Sequence, residues 1–168
     1  RGLAELGAST TAPDDRGRTA VFLAAQFGHD EVIRLLVDEW SAPANVPDME
    51  DWTPVYIASA KGHVSTARLL MGCLGADADA QDLTGSTSLH AASAQGHTDV
   101  VNMLVHEWGA SVDSINARGR TPIFGAVQAG RDDTVRALAN LGANIFVSDL
   151  EGWTPVMVGC FHGQISTV

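Results

Sequence analysis

Apolar residues fall into short segments with the spacing of amphipathic helices, and glycine or polar stretches separate the segments. The longer segments bury one helical face, with apolar side chains in the spacing of Val100, Val101, Met103 and Leu104. A shorter apolar segment of about nine residues, which runs from a threonine to a glycine, precedes each of them. The pattern predicts pairs of short helices, and helices of this length are stable only when neighbours pack against them.

The helix pair occurs five times along the chain. The copies begin at Thr19, Thr53, Thr87, Thr121 and Thr154, which are 34, 34, 34 and 33 positions apart. A glycine follows each threonine nine residues later. Threonine is a good helix N-cap, and the proline that follows it in three copies suits the first helical position. Self-similarity at this period is typical of a solenoid.

Equivalent positions keep their size from copy to copy. The fifth residue after each threonine is small: Ala24, Ala58, Ala92, Ala126 and Gly159. The second residue after it is apolar: Val21, Val55, Leu89, Ile123 and Val156. Small residues let helices approach closely, so we expect the first helices to stack on one another through these two columns.

Turn-forming residues connect the copies. A Gly-Ala or Ser-Ala pair ends each copy, and an Asp or Asn stands five residues before the next threonine: Asp14, Asp48, Asp82, Asn116 and Asp149. This pattern predicts a turn or hairpin. A large apolar residue precedes each pair: Leu6, Trp40, Leu74, Trp108 and Leu141. We expect this row to pack between second helices, with a functional stripe on the convex side as the alternative.

These motifs resemble the ankyrin repeat family over almost the whole chain. The resemblance is carried by the TPLH-like tetrapeptides, by the junction motifs and by three Gly-His pairs, Gly28-His29, Gly62-His63 and Gly96-His97. It implies an all-α solenoid of stacked helix-turn-helix units with projecting loops or β-hairpins. In the family, the hairpin tips and first helices form a concave face that binds other proteins, and the family is not enzymatic as a rule.

The repeat positions divide the chain, which we treat as a single ankyrin-type domain over residues 1–168. Residues 1–13 are the predicted end of a preceding repeat, complete repeats span 14–47, 48–81, 82–115 and 116–148, and 149–168 is a truncated repeat. Three repeats are one residue longer than is usual in the family, with the extra residue near the end of the second helix. Neither end has a polar capping unit, so we expect a fragment of a longer array.

The family's Thr…His pair is kept only by Thr87 and His90. In the family the hydrogen bonds of this pair help to hold the turn. In the other copies the histidine position holds an apolar or aromatic residue, which we expect to be buried instead: Phe22, Tyr56, Phe124 and Met157.

Composition restricts the possible partners and the compartment. The net charge of −10 disfavours nucleic acid, and no apolar run approaches the length of a membrane span. Cys73 and Cys160 are far apart, so we expect reduced, partly buried thiols. We therefore expect an intracellular monomer without a cofactor or membrane insertion, and we favour the cytoplasm over the nucleus.

Two candidate chemistries are disfavoured by the repeat itself. Ser88, His90 and Asp99 are the residue types of a hydrolase triad, but no other copy has this set of residue types at the equivalent positions. His29, His63 and His97 would lie roughly 10 Å apart in stacked units, too far for one metal ion. We therefore predict neither an enzyme nor a metal site.

Candidate partner-binding residues lie at variable positions of the hairpin tips and the inner face. By analogy with the family, they are Arg18, Phe27, Met49, Trp52, Lys61, Leu83, Gln95, Arg118, Arg120, Gln128, Trp153 and Phe161. The tryptophans could instead lie flat against adjacent hairpins. The pairs Arg16/Arg18 and Arg118/Arg120 could bind two acidic patches of a partner. The alternative, which we favour, is that they form ion pairs within the chain with the nearby acids Asp14, Asp15 and Glu50.

The sequence thus predicts a protein–protein interaction scaffold that binds a partner protein through its concave face. The alternative is a regulatory or spacer array attached to a catalytic or channel domain outside this chain.

Overall fold

The computed structural model describes residues 2, 6–164 and 166, with the backbone alone at residues 73 and 74. In this part of the chain the regular structure is helical and no strand is present. The helices, in chain order, are α1 (Ala20–Gln26), α2 (Asp30–Arg34, continued by a π turn over Leu35–Glu39), α3 (Pro54–Ala60), α4 (Val64–Leu74), α5 (Ser88–Gln95), α6 (Thr98–Trp108), α7 (Pro122–Gln128), α8 (Asp132–Asn140) and α9 (Pro155–His162).

Each first helix begins directly after its threonine, whose backbone is extended. The Oγ1 atoms of Thr19, Thr53 and Thr154 accept the backbone N–H three residues later, at 3.2, 3.2 and 3.3 Å. These bonds satisfy one of the free N–H groups that every helix start exposes. The first helices are seven or eight residues long, slightly shorter than predicted.

The helices form two layers. The first helices α1, α3, α5, α7 and α9 stack in sequence order, and the second helices α2, α4, α6 and α8 form the outer layer. Val21, Val55, Leu89 and Ile123 are buried between the stacked first helices, as the column pattern predicts. The units therefore bury their apolar faces against their neighbours.

The longer units hold their extra residue at the end of the second helix. Helices α4 and α6 have 11 residues, whereas α8 has 9. The Ala110 N–H donates to the Leu104 carbonyl, six residues back, whereas the equivalent Ala143 N–H reaches Leu138, only five residues back. In α2 the extra residue is accommodated as the π turn.

The loops between units are closed by the Asp/Asn column. Asp48 illustrates the arrangement: its Oδ1 accepts the N–H groups of Glu50 and Trp52, both at 3.0 Å. Successive loop tips are joined by single backbone hydrogen bonds, from Met49 N–H to Arg16 (3.0 Å) and from Ala117 N–H to Thr84 (2.8 Å). The loops are hairpin-shaped and, in the described residues, contain no strand.

Several side chains that the repeat pattern places in buried columns are exposed. Leu6 is 85% exposed, Val156 52% and Met157 53%, and Cys160 is exposed rather than partly buried. All four side chains are exposed, so the burial predicted for them is wrong. Trp40, Trp108 and Leu141 are partly buried against the core, while the side chains of Cys73 and Leu74 lie outside the described residues.

Candidate functional site

A concave groove of about 900 Å³ runs along the first helices and the loop tips of the second, third and fourth complete units. Ala91, Ala94 and Gly125 form a floor of small residues, so the groove is open to backbone-sized groups. Seven of the candidate residues line it: Trp52, Lys61, Leu83, Gln95, Arg118, Arg120 and Gln128.

A second groove of about 770 Å³ continues the first along the array. Arg18 and Met49 line it, and the two grooves share Trp52, Ile57 and Leu83. Met49 and Leu83 are exposed at neighbouring loop tips, so the boundary between the grooves carries exposed apolar side chains.

Three candidate residues lie away from both grooves. Phe27 is exposed and stacks on His29, with ring centroids 6.1 Å apart. Trp153 and Phe161 meet edge to face at 5.5 Å, and Trp153 lines a separate depression of about 460 Å³ beside Met157. The structure does not bring these three side chains together with the other candidates.

Trp52 takes part in a hydrogen-bond cluster between two units. Its indole Nε1 donates to Asp82 Oδ2 at 3.2 Å, and the Tyr56 hydroxyl donates to the same oxygen at 3.0 Å. The Trp52 and Tyr56 rings stack with centroids 5.4 Å apart. Burial, reinforced by the Asp82 charge, raises the pKa of Tyr56, so its hydroxyl remains a donor. Trp52 therefore forms one wall of the groove while binding its own neighbour.

The Asp82 carboxylate stays ionised within this cluster. Burial alone would raise its pKa, but hydrogen bonds from Thr84, Ser86 and Tyr56 outweigh burial and lower it. Since Asp82 Oδ2 already accepts two hydrogen bonds, this charge is satisfied by the protein itself.

One arginine of each predicted pair forms an ion pair within the chain. Arg18 binds Asp14 through two nitrogens, at 2.9 and 2.6 Å, and this contact lowers the pKa of Asp14 to about 2. Arg120 Nε lies 2.8 Å from Oδ2 of Asp149, which is in the next unit and was not among the expected acids. The intramolecular interpretation thus fits Arg18 and Arg120.

His90 joins two units through both ring nitrogens. Its Nδ1 accepts the N–H of Thr87 at 3.2 Å, and its Nε2 donates to the Arg120 carbonyl at 3.0 Å. This network needs the neutral ring with its proton on Nε2. Burial lowers the pKa of His90, although the Arg120 carbonyl and the Asp82 charge oppose that shift.

We expect His90 to make stability depend on pH. Its pKa in the folded state lies below the ordinary 6.5, so the unfolded chain binds the proton more tightly, and the free energy of unfolding falls as the pH drops below 6.5. One such group contributes a slope of at most about 1.4 kcal/mol per pH unit. Urea titrations of the protein and of His90→Phe, between pH 7.5 and 5, should show the smaller decrease in the variant. Equal decreases would contradict the role given to His90.

The triad types do not assemble into a catalytic arrangement. The buried Ser88 hydroxyl makes no hydrogen bond in the described structure, and the ring nitrogens of His90 contact Thr87 and Arg120 rather than Ser88. Asp99 lies exposed in the first turn of α6. A triad needs a base bonded to its nucleophile, and that contact is missing here.

A second row of contacts between units was missed by the sequence interpretation. From the second complete unit onward, the residue after the first-helix glycine donates to a carbonyl at the end of the preceding unit's first helix: His63 to Gln26 (3.2 Å), His97 to Ala60 (3.1 Å), Arg131 to Ala94 (3.4 Å) and Gln164 to Gln128 (3.2 Å). The row could have been predicted from the sequence, because every residue at this repeat position carries a side-chain N–H donor. Two of the recurrent histidines, His63 and His97, are therefore contacts between units.

The described residues contain neither a candidate metal cluster nor a candidate membrane-spanning helix. No group of three His, Cys, Asp or Glu side chains there could hold a metal ion. None of the helices described above has the length and apolar character to span a bilayer.

Two stacked helical layers with projecting loops and a concave groove define a helical repeat solenoid. The family model for ankyrin repeats matches the chain in three overlapping copies, over residues 3–82, 51–116 and 89–168, and the chain belongs to the ankyrin repeat family. Comparison with curated proteins finds no individual relative that matches. Ankyrin repeats are generally protein–protein interaction modules and typically non-catalytic scaffolds, and proteins that contain them are often intracellular.

Proposed function

We propose that this protein is an interaction scaffold that binds a partner protein in the concave groove. The observation that carries the proposal is the groove itself, of about 900 Å³, lined by loop tips and first helices from three units. Among its lining residues, Leu83 is 67% exposed and Lys61 and Arg118 are exposed. Groups that project from a rigid concave wall can be buried by a partner without rearrangement of the fold.

The structure separates the candidates into two groups for mutagenesis. Trp52 and Arg120 bind Asp82 and Asp149 of the next unit, so their replacement would also disturb the fold. Leu83 and Arg118 form no side-chain hydrogen bond or ion pair within the described residues, so their replacement changes the surface. Exposed loop-tip residues therefore test binding more cleanly than the two structural residues do.

We expect the double variant Leu83→Ser/Arg118→Ser to retain its fold and to lose its partner. The experiment is affinity capture from cell lysate, followed by a titration of the identified partner. Replacing two central contact residues typically weakens binding by about tenfold or more. The matched control is Phe146→Ser/Arg136→Ser, which removes an exposed apolar group and an exposed arginine away from the groove.

Equal binding by all three proteins would contradict a site in the groove, and selective loss in the control would move the site to the other surface. If none of the proteins captures a partner, the spacer alternative replaces this proposal. Circular dichroism of each variant establishes that the helices are intact.

A further inference from the structure

The concave groove of about 900 Å³ differs in charge from the chain as a whole. The chain has 20 acidic residues against 10 Lys and Arg, yet no carboxylate is among the described residues that line this groove. Its lining includes Lys61, the single lysine of the chain, together with Arg118 and Arg120. A cationic groove on an acidic protein attracts a negatively charged group there and repels it elsewhere.

Two of these cations are available to a ligand. Arg120 is neutralised by Asp149, at 2.8 Å. Lys61 and Arg118 form no ion pair among the described residues. Asn116 also lines the groove, and it is neutral where the other four units have an aspartate in the same loop column, so it adds no negative charge to the groove.

The nearby carboxylates do not cancel the charge at the groove surface. Asp82 Oδ2 is occupied by Trp52 and Tyr56, and Asp149 Oδ2 by Arg120. Arg120 balances the charge of Asp149. The two cations Lys61 and Arg118 outnumber the remaining charge of Asp82, so the groove keeps a net positive charge.

We infer that the partner enters this groove as an extended acidic peptide segment, an inference that rests on the proposed function. Lys61 and Arg118 lie two units apart, roughly 20 Å at the spacing of packed helices, which an extended chain covers in about six residues. Leu83 belongs to the unit between them and stands exposed on the same wall. The segment therefore presents two carboxylates about six residues apart, with an apolar side chain between them.

The chain's net charge of −10 favours a peptide over a nucleic acid as the source of the negative charge. A nucleic acid carries a charge at every phosphate and would be repelled by the net negative charge of the chain. A peptide with two carboxylates places its charges only where the cations stand.

The test uses phage-displayed random 12-residue peptides selected on the intact protein. The recovered peptides are then synthesised with a fluorescent label and titrated by fluorescence polarisation. The groove variant is Lys61→Glu/Arg118→Glu. The matched control, Arg34→Glu/Arg136→Glu, changes the net charge equally at two exposed arginines of the second helices.

We expect enrichment of peptides with two acidic residues around an apolar one. The groove variant should weaken their binding by about tenfold or more, while the control changes it less than about threefold. Raising the salt from 50 to 500 mM should also weaken binding, by about tenfold, because exposed charges are screened.

Groove-dependent peptides without acidic enrichment would overturn the acidic inference and leave the proposed function intact. Peptides that bind equally to the groove variant would contradict both. Recovery of no peptide, or tighter binding of single-stranded RNA than of any peptide, would overturn the acidic-peptide inference. Neither result would overturn the proposed function, because the lysate capture tests the groove separately against whole proteins.

Discussion

Replacement of Leu89 by alanine is expected to lower the free energy of unfolding by about 2–5 kcal/mol. Leu89 is fully buried in α5, which packs between α3 and α7. Truncation there removes apolar contacts and leaves a cavity that the neighbouring helices fill only in part. Because the stability of a repeat array depends on the interfaces between units, damage to a central interface affects the units on both sides.

Val156→Ala is the matched control for Leu89→Ala. Val156 occupies the equivalent position in α9 but is half exposed, so its truncation should cost less than about 1 kcal/mol. Urea titration followed by circular dichroism measures both variants. A cost below about 1 kcal/mol for Leu89→Ala would show that this column does not form the interface between first helices.

Gly62→Ala is expected to destabilise the protein by about 2–3 kcal/mol through two separate effects. Gly62 has a φ of +78°, a conformation that costs a residue with a Cβ about 1–2 kcal/mol. An added Cβ would also lie 2.7 Å from Nδ1 of His97, closer than the atoms can approach. His97 would have to move, and its hydrogen bond to the Ala60 carbonyl would be lost.

Two further variants separate these effects. Gly109 has a φ of +68° but open space around a Cβ, so Gly109→Ala should cost only the backbone contribution, about 1–2 kcal/mol. In Gly62→Ala/His97→Ala the clash is absent, so the double variant should be more stable than the sum of the single changes predicts, by about 1 kcal/mol. Strict additivity would show that Gly62 is not required for the approach of His97.

The parts of the fold that were predictable from sequence depend on interactions within one unit. Thr53 and Asp48 illustrate this: their hydrogen bonds reach only two to four residues along the chain, and residue type and spacing determine them. The period then placed Val21, Val55, Leu89 and Ile123 at the interface, because similar units can bury their apolar faces only on one another.

The failures involve interactions between units. Val156 and Met157 match buried columns, but burial depends on which residues pack over them, and both side chains are half exposed. The contacts of Trp52 and Arg120 were also not predicted: both remain binding candidates, but their polar atoms contact Asp82 and Asp149, about 30 positions further along the chain. A column of variable residues does not distinguish a group that binds the next unit from one that projects into the groove.

The direct test of recognition by the groove is hydrogen–deuterium exchange of the protein with and without its captured partner. If the partner binds there, the amides of residues 83–86 and 116–121 at the loop tips should exchange more slowly in the complex. The second helices α6 and α8 should exchange at the same rate in both states. Protection confined to α6 and α8, with unchanged loop tips, would contradict binding in the concave groove.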